Sequence, residues 1–301
     1  MANHDLTRSR INKHDCFNTQ LKTISDEIKY HQDSFIGKTV FCGCNDGRKS
    51  NFWRYFSKNF KELGLKKLIC TSYSPNGKGY KLEMINDSEV ALTYLQGTGD
   101  FFSPECLMLL SECDIFVSNV PFSRFKDIFC TLQEYRKLFL IIGTINCATY
   151  KDIFPYFQRN EVWLGKSIQS GGRHFNIPDY YPIETSSGGV EKTGERYIRV
   201  KGVRWFTNLD FKERYMPNNI GCKYNPELYK MYDNCNAINV DSLKDIPVYD
   251  GVIGVPITIL DHINPNTMKI HGFRKGEDGK DLRVNGEIKY CRVLMSWIKT
   301  N

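Results

Sequence analysis

Residues 113–123 read Cys113-Asp114-Ile115-Phe116-Val117-Ser118-Asn119-Val120-Pro121-Phe122-Ser123, and the architecture turns on how they are read. Ile115, Phe116 and Val117 form a short apolar run of β-favouring residues, followed at once by the polar pair Ser118 and Asn119. That pattern is a buried strand delivering a stiff polar loop. Pro121 fixes its own φ and pushes Val120 toward an extended backbone, so the carbonyls around Asn119 and Val120 are held in place. Such a loop can grip a flat polar ring. The Asn119 side-chain oxygen and the Val120 carbonyl can both accept from one exocyclic amine, while Phe122 offers a face for stacking. An adenine flipped out of a duplex has that amine and that flatness.

On the N-terminal side, Ser103 caps a helix through Leu107, Leu110 and Cys113. Before it, Gln96-Gly97-Thr98-Gly99-Asp100-Phe101-Phe102 makes a loop expected at the same sheet edge. Asp100 there is either a ligand-facing carboxylate or an ordinary turn former. Residues 81–95 read as a hairpin and 67–73 as a strand. Further back, 37–41 is a strand, Cys42-Gly43-Cys44-Asn45-Asp46-Gly47 its turn, and Ser50 the start of a helix through Phe52, Trp53, Phe56 and Phe60. Gly43 and Gly47 permit close backbone approach, and Asn45 or Asp46 can hold a polar ligand group. The turn lacks the Gly-x-Gly-x-x-Gly pattern of dinucleotide binders.

On the C-terminal side, 125–135 is helical and Leu138-Phe139-Leu140-Ile141-Ile142 is the continuous apolar run of a central parallel strand. A short helix over 150–157 and a strand over 161–165 follow. This alternation predicts an α/β fold with a doubly wound, mostly parallel sheet and right-handed crossovers. Beyond residue 165 the chain turns rich in glycine, serine, proline and tyrosine. Loops that long are uncommon unless they bind something. Residues 196–208 carry two alternating strands joined at Lys201-Gly202, and a hairpin of 281–284 with 288–296 is expected about Asn285-Gly286. We therefore expect a ligand-binding core over 1–165 and, over 166–301, remaining strands with a mixed β region. Arg173, Arg196, Arg199, Arg204 and Arg214 in that region suit phosphates as a set, although each singly reads as a solvated side chain.

The net charge of +7, from 41 basic and 34 acidic residues, fits approach to a polyanion and equally fits a basic soluble protein. Eleven cysteines are scattered without the dense spacing of a secreted scaffold, and the polar N-terminus has no signal peptide, so reduced thiols in a cytoplasm are expected. Cys42 and Cys44 find no second pair or histidine to complete a zinc set, and no metal is expected. No apolar run approaches the roughly 18 residues of a membrane helix. The first dozen residues are polar and expected to be mobile. Leu21, Ile24 and Ile28 have helical spacing, with Thr19 as its ordinary cap.

Asn119-Val120-Pro121-Phe122 resembles the Asn-Pro-Pro-Phe/Tyr motif of the amino-methyltransferases, which move a methyl group from S-adenosylmethionine to adenine N6 or cytosine N4. Over nearly its full length the chain is similar to the EcoRI-type adenine-specific DNA methyltransferases. Matching segments include Asp15-x-Phe17-x-Thr19-Gln20, Ser50-Asn51-Phe52, Gly97-x-Gly99-Asp100-Phe101, Phe139-Leu140-Ile141-Ile142-Gly143, residues 202–209 and residues 250–258. Val120 stands where the family has a proline, Asn18 where it has a tyrosine, and a longer insertion common before the Gly-x-Gly-Asp loop is missing. The resemblance implies a Rossmann-like methyltransferase fold. Phe17, Thr19, Cys44, Asn45, Asp46 and Asp100 would line the S-adenosylmethionine site, and Asn119, Val120, Pro121 and Phe122 would hold the adenine. Duplex DNA would be the partner, gripped by Arg173, Arg199 and Arg204, with no obligate protein partner. Two alternatives stand beside this reading: a DNA-binding protein that has kept the fold but lost turnover, and transfer to an RNA or protein amine.

Overall fold

The apolar runs become the middle of one sheet. The computed structural model describes residues 18–43, 47–179, 181, 188–192, 194–274, 281–289 and 291–299. Within them the chain forms two compact units, one of residues up to Cys147 with Gly165–Phe211, the other of Ala148–Leu164 with residues from Lys212 onward.

The first unit carries ten strands of three or more residues: β1 (Thr39–Cys42), β2 (Lys67–Thr71), β3 (Tyr80–Asn86), β4 (Glu89–Tyr94), β5 (Ile115–Asn119), β6 (Leu138–Thr144), β7 (Gly172–Asn176), β8 (Gly188–Val190), β9 (Arg196–Lys201) and β10 (Val203–Thr207). Its helices are α1 (Leu21–Ile28), α2 (Asn51–Lys58), α3 (Pro104–Glu112) and α4 (Phe125–Glu134). Seven of these ten strands share a sheet in the order β4-β3-β2-β1-β5-β6-β10. The ladders β2/β1, β1/β5 and β5/β6 are parallel. The ladders β3/β2, β4/β3 and β10/β6 are antiparallel. The sheet is thus mixed rather than mostly parallel, because the expected 81–95 hairpin extends one side and β10 runs back along the other.

Alternate strand residues feed opposite faces. Val40, Leu68, Ile115, Val117, Leu140, Ile142 and Trp205 face Ile24 and Ile28 of α1, Phe52 and Phe56 of α2, and Phe175, Ile198 and Val200 of the small sheet, all buried. On the other face the Phe129 ring meets Phe139 at 5.6 Å and Phe125 meets Phe206 at 4.9 Å, which docks α4. Each fully buried phenylalanine contributes about 3 kcal/mol of transfer free energy. Ser50 and Ser103 cap α2 and α3 as expected, accepting from Phe52 N and Cys106 N. Thr19 does not cap α1, since Gln20 holds that position without a side-chain bond.

A second, antiparallel sheet joins Asn18–Thr19, β7, β9 and β8 in that order. The expected strand pair about Lys201-Gly202 exists, but its two halves serve different sheets. Gly202, at φ +72, is the pivot between them.

The second unit contains α5 (Phe154–Gln158) and the strands β11 (Cys235–Asn239), β12 (Val252–Pro256), β13 (Met268–Arg274) and β14 (Arg292–Trp297). Its sheet runs Met231–Tyr232, β11, β12, β14, β13, with Tyr232, Ala237, Val284 and Leu294 in its core. The hairpin at Asn285-Gly286 is short, pairing Arg283–Val284 with Glu287–Ile288; both turn residues have positive φ, the pattern of a type I′ turn. Its expected second arm, β14, pairs with β12 and β13 instead.

Candidate active site

β1 and β5 are neighbouring parallel strands in a register that pairs Phe41 with Phe116, so Cys42 and Asn119 end at one edge of the sheet. A bond joins the two tips: the Ser118 hydroxyl donates to the Gly43 carbonyl at 2.5 Å. Asn119 is buried with 7% of its surface exposed, Val120 is buried, and Pro121 sits half-buried at φ −54. The Phe122–Arg124 turn follows, closed by Arg124 N donating to the Pro121 carbonyl at 2.9 Å. Phe122 is only 2% exposed and belongs to the core that includes Phe175 and Val200. The expectation of an open ring face at Phe122 is corrected: the turn rotates the ring inward, where it anchors the loop.

The Gly97–Asp100 loop reaches the same edge. A Cβ on Gly99, at φ +77, would lie 2.0 Å from the Ser72 carbonyl, so the loop is pressed against the end of β2 in a way that only glycine allows. Glu105, in the first turn of α3, accepts from the amides of Gln96 and Gly97 at 2.8 and 2.9 Å. Asp100 accepts from the Phe102 amide at 2.9 Å and takes both ends of the Arg124 guanidinium, at 2.5 and 3.2 Å. The Arg124 fork beside Asp100 holds its carboxyl below the usual carboxylate value, with the Phe102 amide adding to the effect. Arg124 also stands 4.4 Å over the Phe102 ring.

Thr19 lies beside the turn that follows β1. Its carbonyl accepts from Asn51 Nδ2 at 2.8 Å, and Asn18 Nδ2 donates to the Lys49 carbonyl at 3.1 Å. The Thr19 hydroxyl is buried and has no hydrogen-bond partner among the described residues. Phe17, Cys44, Asn45 and Asp46 lie outside the described residues.

The arginines divide. Arg199 is exposed on β9, opposite His174. Arg173 is half-buried and donates to the carbonyls of Ser167, Ser170 and Gly172. Arg204 is 3% exposed and donates to the carbonyls of Val203 and Gln169, both at 2.8 Å. Its expected phosphate contact is corrected, because the side chain is buried and has no solvent face from which to meet a phosphate. Arg196 holds the carbonyls of Pro178, Asp179 and Tyr181, and Arg214 is buried over the Trp163 ring at 3.6 Å.

Sequence reasoning missed a second clamp. Glu27 is fully buried, contacts His31 Nε2 at 3.1 Å, and accepts from the amides of Lys166 and Ser167 at 2.9 and 2.7 Å. A Cβ on Gly165 would stand 2.2 Å from its Oε1, so the chain must be bare there. The one available signal was a glutamate on the apolar face of α1. Among the described residues every cysteine is free, no cluster could hold a metal ion, and no helix is long and apolar enough to cross a membrane.

Residues 5–293 match the family described as "Adenine-specific methyltransferase EcoRI". The chain is 38% identical over 315 residues to the Type II methyltransferase M.EcoRI of Escherichia coli, covering 98% of this chain and 96% of that protein. It is 34% identical over 314 residues to the Type II methyltransferase M.MgeORF184P of Mycoplasma genitalium, covering 97% and 98%. It is 32% identical over 313 residues to the Type II methyltransferase M.MpnI of Mycoplasma pneumoniae, covering 97% and 98%. No solved structure matches it.

Proposed function

Because the chain belongs to the EcoRI family of adenine-specific methyltransferases, we propose that it methylates N6 of an adenine flipped out of duplex DNA, at the sheet edge where β1 and β5 end. Site-specific DNA adenine methylation within a restriction-modification setting is the activity its family and relatives carry. The observation that carries the placement is the 2.5 Å bond from Ser118 to the Gly43 carbonyl, which fastens the amine-binding loop to the turn after the first strand. Four parallel strands with α1 and α2 on one face and α4 on the other support the doubly wound, Rossmann-like reading of the core.

The residues suit S-adenosylmethionine. The buried Thr19 hydroxyl waits without a partner among the described residues, and the Asp100 carboxylate is fixed at the same edge. Thr19 and Asp100, with Phe17 and Cys44–Asp46, are the residues proposed to hold it. When bound, it supplies a methyl group on a positively charged sulfur. The Asn119 oxygen and the Val120 carbonyl accept from the adenine amine and draw its lone pair out of the ring. What remains for the protein is alignment, because an in-line transfer is governed by orientation. The methylated amine releases its proton to water, so no general base is required. Pro121 stiffens the loop, and Phe122 anchors it from within. Arg173 and Arg199, with the segments of 166–301 around them, are proposed to grip the DNA backbone.

Incubation with labelled S-adenosylmethionine and duplexes of mixed sequence is expected to give labelled N6-methyladenine. Absence of label on every duplex, with cofactor binding intact by calorimetry, rejects the proposal.

A further inference from the structure

Two tethers bracket the amine-binding loop. One is the Ser118 hydroxyl on the Gly43 carbonyl, just before Asn119. The other is Arg124, two residues after Phe122, whose guanidinium forks onto the Asp100 carboxylate at 2.5 and 3.2 Å and stands 4.4 Å over the Phe102 ring. The far end of the second tether is itself immobile. Gly99 is wedged against the Ser72 carbonyl, Ser74 N donates to the Thr98 carbonyl at 2.8 Å, and Ser103 N donates to the Asp100 carbonyl at 2.9 Å. At the near end, the Arg124 amide closes the turn on the Pro121 carbonyl.

We infer that Arg124 is a positioning residue for methyl transfer, fixing the loop that presents Asn119 and Val120 by forking onto Asp100. The inference rests on the proposed reading of this edge as the methyl-transfer site. It assigns a role to a side chain that acts through the Asp100 carboxylate. The side chains of Arg124 and Asp100 are 41% and 31% exposed, a setting in which an ion pair adds little to global stability. A planar fork nonetheless fixes distance and angle together, which a lysine on the same carboxylate cannot do. Within the loop Pro121 restrains its own φ and the backbone of Val120, and no second proline stands at position 120. The geometry of the acceptors is therefore set from both sides by side chains outside the loop.

The test compares wild type, Arg124→Ala, Arg124→Lys, Asp100→Asn and the double variant Asp100→Asn/Arg124→Ala. For Arg124→Ala, kcat is expected to fall about tenfold, with both KM values within about threefold, because orientation is lost and binding is kept. Arg124→Lys recovers part of the loss. The double variant is expected to be no slower than Asp100→Asn alone, since Arg124 acts through that carboxylate. Amides of residues 119, 120 and 122–125 in Arg124→Ala exchange about tenfold faster while the melting temperature moves by less than about 2 °C. Unchanged kcat and exchange overturn the inference, as do additive losses in the double variant. A fall of about 10 °C with faster exchange throughout β5 and β6 overturns it too, by making Arg124 a stability residue. If the wild type methylates no DNA, the reading of the site falls separately, and the exchange comparison still decides the tether.

Discussion

Two loops of the first unit are held by charged side chains, and their settings are opposite. The 166–171 loop is clamped by Glu27, fully buried against His31, and by Arg204 at 3% exposure. The 119–124 loop is clamped by Arg124 and Asp100, both partly open to solvent. A buried charge that loses its partners is left in a medium that cannot solvate it, whereas an exposed one is taken up by water. The first clamp is therefore part of what makes the unit fold. The second sets where a loop stands and leaves global stability nearly untouched.

The contrast makes graded claims. Glu27→Ala strips two amides of their acceptor and His31 of its partner inside the protein, and urea unfolding should show a loss of about 4 kcal/mol. Asn119→Ala should cost roughly a hundredfold in methylation rate, about 2.7 kcal/mol of barrier, with unfolding free energy changed by less than about 1 kcal/mol. If Asn119→Ala unfolds the protein as Glu27→Ala does, the division between the two loops is wrong. Among the arginines, Arg199→Ala should lower the slope of DNA affinity against log salt by about one. Arg204→Met should leave that slope alone and cost about 2 kcal/mol of stability, since it orphans buried carbonyls. The smallest effect concerns acid. The Asp100 pKa is depressed in the folded protein, so the fork's contribution is present above the unfolded-state value of about 3.9 and is lost as pH falls through the folded value. The small difference in melting temperature between wild type and Arg124→Ala should therefore vanish in strong acid.

What could be read from the sequence follows the same division. β1, β5 and β6 announced themselves as apolar runs, and the two serine caps and the 81–95 hairpin carry local signals that tertiary packing left intact. The loop at Asn119 was legible because a strand, two polar residues and a proline fix it locally. The inward turn of Phe122 was not, since a single turn of 3₁₀ geometry sets which way the ring points. Nor were the clamps: Glu27 meets residues 139 and 140 positions away, and Arg124 meets Asp100 from 24 positions away. Periodicity carries no record of such pairs. Arg204 misled for another reason. All of β10 is buried, so an arginine in Val203-Arg204-Trp205-Phe206-Thr207 has no solvent face to occupy and turns to backbone carbonyls.

The course of the chain through Gly202 has a biosynthetic consequence. β6 finds its second neighbour only in β10, through pairs from Thr144 with Val203 to Leu140 with Thr207. Between them the polypeptide lays down the 148–164 portion of the other unit and the outer strands β7 to β9. While a ribosome is still translating that interval, the row of Phe139, Leu140, Ile141 and Ile142 stands as an unpaired apolar margin, the kind of edge that recruits strands from other nascent molecules. A fragment stopped at residue 165 would keep that margin permanently, so a self-sufficient piece carrying the amine-binding loop has to extend through β10.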